Sequence, residues 1–211
     1  ISYEIFIRDR QLALESEKFP DWMLPISQFN NIATFMPMLG SGSSAQPFKT
    51  VEDYDNWLKR GGVIPAIYDQ AIANMREGMK AGVVQPKVLM DKVIPQLDAI
   101  INDDPTKTTF WGPITNMPKE FSAEDQKRLT EAYRVMIADQ LMPAYKRLRA
   151  FIADEYLPAS RATVSLSKLP DGEAWYAFNA KTQTTTDLTP AQIHEIGLKE
   201  VERIHAEMHE V

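Results

Sequence analysis

The sequence predicts a mainly α-helical protein, an array of long helices with one short β-strand or hairpin near residues 173–186. Two observations predict the helices: apolar residues recur at helical spacing over several long stretches, and capping residues stand in front of several of them. A third observation predicts the strand, because Thr and aromatic residues replace helix formers between residues 157 and 187. We expect a single helical domain over residues 1–211, with a flexible loop near residues 40–49.

The helices of the first half follow from their start and stop signals. A short helix is predicted over residues 1–17 and another over residues 28–35, where Pro37 is expected to stop it. Thr50 is followed by acids in the next turn, which predicts a capped helix start because acidic side chains complement the helix dipole. Gly and Pro mark the later boundaries. We predict interruptions at Gly61-Gly62 and Pro65, an end at Gly82 and a new start at Pro86.

The second half contains the longest predicted helix. Ser122 caps it, and it is expected to run to about residue 155, with Pro143 as a candidate kink. Before it, residues 105–118 are predicted to form an irregular connection that turns two aromatic side chains inward. Thr189 then begins the last helix, with Pro at the first helical position and Gln at the third.

Three aromatic residues in the predicted strand are the candidate binding residues: Trp175, Tyr176 and Phe178. In one interpretation they pack one face of the strand against the core, because large aromatic side chains are usually buried. In the other, the strand has an exposed edge, and an extended peptide adds to it through main-chain hydrogen bonds. The sequence leaves both interpretations open.

Composition excludes several classes of function. Lys and Arg total 23 against 29 Asp and Glu, and this net charge of −6 argues against a general nucleic-acid-binding role. The chain has no Cys, which excludes disulfides, thiol nucleophiles and Cys-ligated metals. No apolar run is long enough to cross a bilayer, so we expect no transmembrane segment, and the N-terminus offers no targeting signal.

The three His residues do not form a recognised metal motif. His194, His205 and His209 all lie in the last predicted helix, where His205 and His209 share a face. In the zinc-peptidase motif the catalytic Glu directly follows the first His, and Glu207 is one position too far along. Paired acids elsewhere are typical of solvated helix faces. We therefore predict no catalytic residue and no metal ligand in this chain.

Two separated blocks of the sequence carry a family resemblance. The earlier block runs from Met75 to Gly82 and continues with Pro86 and Gln96-Leu97-Asp98. The later block comprises Trp175-Tyr176, Thr184 to Pro190, Ile193 to Leu198 and Glu200 to Met208. In this order they closely resemble the bacterial family known as domain of unknown function 885. The resemblance covers the chain from about residue 54 to residue 211.

The resemblance implies a fold related to the long-helix zinc peptidases and a metallohydrolase activity. It also implies an exported protein, periplasmic or anchored as a lipoprotein. The zinc motif of the family, His-Glu-x-x-Pro-Gly-His-His, lies downstream of these blocks and is absent from these 211 residues. The chain is therefore expected to be the N-terminal fragment, about a third, of a larger protein, with zinc bound only in the missing downstream part.

Two functions remain open at this point. In the first, the chain is the N-terminal helical part of a zinc-dependent peptidase-like hydrolase and is inactive alone. Its partners are then the missing C-terminal part of the same protein and a peptide substrate. In the alternative, it is a stand-alone helical module that binds a protein or serves as a scaffold. Exposed apolar surface on the last helix would favour the first, because self-contained domains rarely leave a large apolar patch uncovered.

Overall fold

The computed structural model describes residues 1–29 and 31–209. Over these residues the chain is largely helical, and extended pairing is limited to isolated bridges, which confirms the mainly α-helical prediction. The α-helices, numbered along the chain, are α1 (Ser2–Ser16), α2 (Ile32–Gly40), α3 (Val51–Gly61), α4 (Ile64–Ala81), α5 (Lys87–Asp98), α6 (Gly112–Thr115), α7 (Ala123–Val135), α8 (Met142–Phe151), α9 (Leu157–Ala159), α10 (Gly172–Thr184) and α11 (Pro190–His209).

The contacts divide the described chain into two compact units. The central unit comprises residues 21–163 and contains α2 to α9. The terminal unit comprises residues 1–20 and 164–209 and contains α1, α10 and α11. The single domain over residues 1–211 stays a prediction.

Several helix boundaries lie where the capping residues predict them. At α3, the Thr50 hydroxyl accepts a hydrogen bond from the Asp53 N–H, and the Asp53 carboxylate accepts one from the Thr50 N–H. Gly82 ends α4 in the left-handed conformation, with φ of 73°. At α11, Thr189 and Gln192 exchange the same pair of hydrogen bonds. These local signals therefore act as the sequence indicates.

The expectation that Pro37 stops the second helix is wrong. Pro37 is buried inside α2, which continues to Gly40. Proline has no N–H, so it cannot donate to the carbonyl four residues earlier, which belongs to Ala33. That carbonyl accepts a hydrogen bond from the Tyr145 hydroxyl at 2.6 Å instead. A tertiary contact thus satisfies the acceptor that the proline leaves open.

The predicted strand or hairpin near residues 173–186 is also wrong, because most of this segment forms α10. Trp175 and Phe178 are three residues apart, which places them on one face of a helix, whereas a strand would point them to opposite faces. Ala174, Ala177 and Ala180 add helix-forming residues before, between and after the aromatics. The Thr-rich end of the segment terminates the helix, and Thr185 adopts a positive φ of 57°.

The longest predicted helix exists but is not uniformly α-helical. Two π-helical segments, Met136–Leu141 and Ile152–Tyr156, join α7, α8 and α9. Each ends two residues before a proline, Pro143 or Pro158. Proline cannot make the regular α-helical hydrogen bond, and each altered backbone segment lies directly before the place where that bond is missing.

The spacing of the buried residues explains the π segments further. On an ideal α-helix, residues spaced four apart are rotated by about 40° from one to the next. Four such steps would carry a row of buried residues almost to the opposite face. The wider π turn corrects this drift. Five fully buried residues keep the four-residue spacing through the first π segment: Leu129, Tyr133, Ile137, Leu141 and Tyr145.

Hydrogen-bonded tyrosines connect the helices of the central unit. The buried Tyr68 hydroxyl of α4 donates to the Tyr145 hydroxyl of α8 at 2.8 Å, and Tyr145 donates to Ala33 of α2. Tyr54 of α3 donates to the Pro113 carbonyl at 2.8 Å. Burial raises the pKa of Tyr68 and Tyr145, and it raises the pKa of Tyr54 to about 12. These groups therefore stay neutral in the folded protein.

The chain of hydroxyls predicts unequal effects for two matched substitutions. Tyr145→Phe leaves both the Ala33 carbonyl and the Tyr68 hydroxyl without a partner, and we expect it to lower the free energy of unfolding by about 2–3 kcal/mol. Tyr68→Phe removes only the donor to Tyr145, and we expect a loss of about 1 kcal/mol. Urea denaturation of both variants measures the difference. Equal losses would contradict the proposed order of donation.

The same tyrosines predict a loss of stability at high pH. Tyr54 has a pKa near 10 when unfolded and about 12 when folded. Its contribution is therefore fully present below about pH 10 and is lost as the pH rises through the folded pKa. We expect tyrosinate absorbance and loss of helical circular dichroism to rise together above pH 10. Ionisation of these tyrosines without unfolding would show that they are accessible in the folded state.

A close approach between helices predicts the effect of a third substitution. A Cβ on Gly40 would lie 2.5 Å from Cζ2 of Trp57 and 2.7 Å from Cδ1 of Phe110. Gly40→Ala should therefore lower the free energy of unfolding by about 1–3 kcal/mol. Gly62→Ala is the control, because a Cβ there meets nothing closer than 3.4 Å. Thermal unfolding measures both, and a Gly40→Ala variant as stable as Gly62→Ala would contradict this packing.

Candidate functional site

The three candidate binding residues lie on α10 in different environments. The Trp175 ring stacks on the Phe19 ring with a centroid distance of 5.8 Å. The Phe178 ring also contacts Phe19, with a centroid distance of 5.2 Å. Trp175 is 6% exposed, whereas Tyr176 is 51% exposed. A helix has no free strand edge, so the basis for peptide binding by strand addition is lost. A binding role for these residues in another mode stays a prediction.

Phe19 and Phe178 line a cleft of about 550 Å³ in the terminal unit. The cleft is formed by the end of α1, one face of α10 and the segment that leads into α11. Ala174 and Ala177 keep the α10 side open, because their side chains are small. The result is an apolar surface large enough for several side chains of a bound molecule.

Charged groups of both signs line the same cleft. Lys181 donates to Glu15 at 3.1 Å, and its carbonyl accepts from Arg8 at 3.3 Å, which joins α10 to α1. Lys18, Asp171 and Asp187 also line the cleft, and none of the three forms an ion pair with another described residue. An apolar surface with separate positive and negative groups suits a peptide segment, which carries both apolar and polar parts.

The turn before α10 fixes one edge of the cleft. Asp171 adopts the left-handed conformation, with φ of 52°, at the N-terminus of the helix. Gly172 follows, and a Cβ at this position would overlap the Leu166 carbonyl. The Pro170-Asp171-Gly172 sequence is typical of a turn, and the structure has a turn at this place. The Asp171 carboxylate is thereby held at the cleft.

The histidines do not assemble with other ligands. His194, His205 and His209 are exposed residues of α11. The described part of the chain contains no group of three or more His, Asp or Glu residues that could hold a metal ion. Nor does any helix over these residues combine the length and apolar character needed to cross a membrane.

Each acid pair of the central unit has one member, Glu155 or Asp103, in an ion pair with a basic residue distant in sequence. Glu155 accepts two hydrogen bonds from Arg76 at 2.7 and 3.0 Å, and Asp103 accepts one from Lys146. These hydrogen bonds lower the pKa of both carboxyls. A general acid at neutral pH needs a raised pKa, so these two carboxylates are suited to joining distant parts of the chain rather than to proton transfer.

Comparisons with known proteins give a family and a fold. A family model described as "Bacterial protein of unknown function (DUF885)" matches residues 1–211, and no curated protein matches the chain. A solved structure, "the putative lipoprotein from Colwellia psychrerythraea", superposes with a TM-score of 0.78 at 21% identity. The match covers 88% of this chain and 32% of that one, so the chain spans about a third of that protein's length. At this identity the likeness shows the fold alone. The match over the whole sequence shows that the chain belongs to the family of bacterial proteins of unknown function, DUF885.

Proposed function

We propose that this chain is the N-terminal helical part of a zinc-dependent peptidase-like hydrolase and is inactive by itself. In this proposal the terminal unit contributes a wall that holds a peptide, and the residues that perform hydrolysis lie in a downstream part of the protein. The observation that carries the proposal is the apolar surface that the terminal unit leaves uncovered.

This surface is most continuous on α11. Ile196, Val201, Ile204 and Met208 recur at helical spacing, and each is at least 44% exposed. On α1, Tyr3, Ile5 and Phe6 are exposed as well. An amphipathic helix normally turns such a stripe toward a core, because exposed apolar surface is unfavourable in water. A further part of the same protein is the partner that best accounts for two uncovered helices.

The length of the Colwellia psychrerythraea protein supports the same proposal. This chain spans about a third of that protein, so a relative of this size has ample further chain to cover α1 and α11. Its description as a "putative lipoprotein" also supports an exported or lipoprotein-anchored location, which we include in the proposal.

The cleft of the terminal unit supports a peptide as the substrate. Its Phe19 and Phe178 rings would contact an apolar side chain, and Lys18 and Asp187 would contact charged or polar groups. The resemblance implies zinc, yet the described residues provide no set of ligands that fits the ion. We therefore assign to this chain binding and positioning of the peptide and no chemical step.

The proposal predicts that the 211-residue chain is inactive. With zinc added, we expect no cleavage of a quenched fluorescent peptide mixture above the buffer rate. A longer protein that continues past residue 211 with the His-Glu-x-x-Pro-Gly-His-His motif should cleave the mixture and lose this activity with a chelator. Zinc-dependent hydrolysis by the 211-residue chain would contradict the proposal.

The uncovered face predicts a difference between the short chain and the longer protein. Ile204→Asp should change the free energy of unfolding of the 211-residue chain by less than about 0.5 kcal/mol, because the side chain is exposed. In the longer protein the same change should cost about 2–3 kcal/mol, because a charge would be buried. Lys199→Asp, also on α11 but on its polar side, is the control.

Denaturation of both proteins measures these effects, and binding of a hydrophobic dye should be strong for the short chain only. An unchanged longer protein with Ile204→Asp would instead favour the alternative, a stand-alone helical module that binds a protein partner.

A further inference from the structure

A second cavity, of about 410 Å³, lies in the central unit beside α2 and α3. Its wall is mostly apolar and is formed by Met36, Leu39, Trp57, Ile64 and Ile67, with Pro47 from the loop after α2. Trp57 is only 2% exposed, so its ring is a fixed part of this wall. The volume is within the range of small-molecule sites, which begins at about 300 Å³.

A groove of about 460 Å³ along α4 lies next to the cavity, and Val63 and Ile67 line both. Pro25, Ile32 and Ala66 extend the apolar lining of the groove. Its polar residues, Gln70 and Asn74, bond to each other at 2.7 Å. From Val63 to Asn74 the groove follows about 16 Å of helix. The cavity and this neighbouring groove, which share an apolar lining, are together called the channel below.

Arg60 lies at the cavity end of this channel. It follows Trp57 by three residues on α3, so the two side chains are neighbours on one helix face. Its guanidinium donates to the Gln46 side chain, and it forms no ion pair with any carboxylate among the described residues. Other arginines of this unit, such as Arg76 and Arg128, each hold a carboxylate. The Arg60 guanidinium is therefore available to pair with an anionic group of a bound molecule.

Trp57 contributes an apolar surface to the same wall. Its indole N–H is buried and has no acceptor among the described residues. This N–H is not accessible from the cavity, so an occupant meets other atoms of the Trp57 side chain. An occupant with a carboxylate near Arg60 and a long apolar part therefore matches this wall.

We propose that this channel binds a long-chain carboxylate of the fatty-acid class, with the carboxylate at Arg60 and the alkyl chain along Val63 and Ile67. Arginine recognises carboxylates through paired hydrogen bonds, and the alkyl chain gains free energy by leaving water. A peptide suits the channel less well, because its backbone needs hydrogen-bond partners along its length. This inference concerns the central unit and does not depend on the proposed hydrolase function.

The test compares dodecanoate with dodecanol by titration calorimetry on the 211-residue chain, at concentrations below those at which either aggregates. Arg60→Gln should weaken dodecanoate binding about tenfold or more and leave dodecanol unchanged, as expected for loss of a charge-assisted hydrogen bond. Lys59→Gln is the matched control, because it removes the neighbouring positive charge outside the cavity lining. Arg60→Lys should retain part of the preference for dodecanoate.

A second pair of variants tests the alkyl part. Val63→Asp should weaken binding of both ligands, whereas Val88→Asp should weaken neither; both valines are more than half exposed, so neither change should unfold the protein. When dodecanoate is added to wild-type protein with isotope-labelled Trp, the NMR signal of the Trp57 indole N–H should shift. Equal effects of Arg60→Gln and Lys59→Gln, or full binding by Val63→Asp, would overturn the proposal and indicate adsorption to exposed apolar surface.

Discussion

The central unit depends on how the Ala33 carbonyl is satisfied. Pro37 cannot donate to it, so α2 would contain a buried acceptor without a partner if the Tyr145 hydroxyl were not 2.6 Å away. Tyr68 is the donor in the bond between the two hydroxyls, so the single hydroxyl hydrogen of Tyr145 is left for the Ala33 carbonyl. Two linked hydrogen bonds therefore fix α2 against α8 and α8 against α4. The position of α2 in turn sets the close approach of Gly40 to Trp57 and the width of the cavity beside it.

Helix ends were predictable because the groups that form them are close in sequence. Thr50 with Asp53, Gly82, and Thr189 with Gln192 each act within a few residues, and each lies at the expected boundary. The continuation of α2 through Pro37 was not predictable, because the compensating Tyr145 is 112 residues away. The four-residue spacing of buried residues does indicate the first π segment. This spacing is recognisable only after the structure shows which residues are buried.

The candidate cleft was predictable in part. The aromatic character of residues 175–178 indicated a special segment, but the strand prediction gave too much weight to β-forming residue types and too little to the three-residue spacing of Trp175 and Phe178. Phe19, which contacts both rings, comes from the opposite end of the chain. Neither composition nor local pattern could associate it with α10. Distant partners of this kind decide where a cleft forms, and a single sequence does not reveal them.

The π segments of the long helix also affect where the chain can gain or lose a residue. Each π turn accommodates extra chain while the residues on either side keep their orientation toward the core. Removal of one residue within Met136–Leu141 would shorten the helix and restore regular hydrogen bonding, provided that Pro143 were also replaced. A one-residue difference in length can therefore lie inside this helix, and an alignment that permits gaps only in loops would misplace the residues that follow.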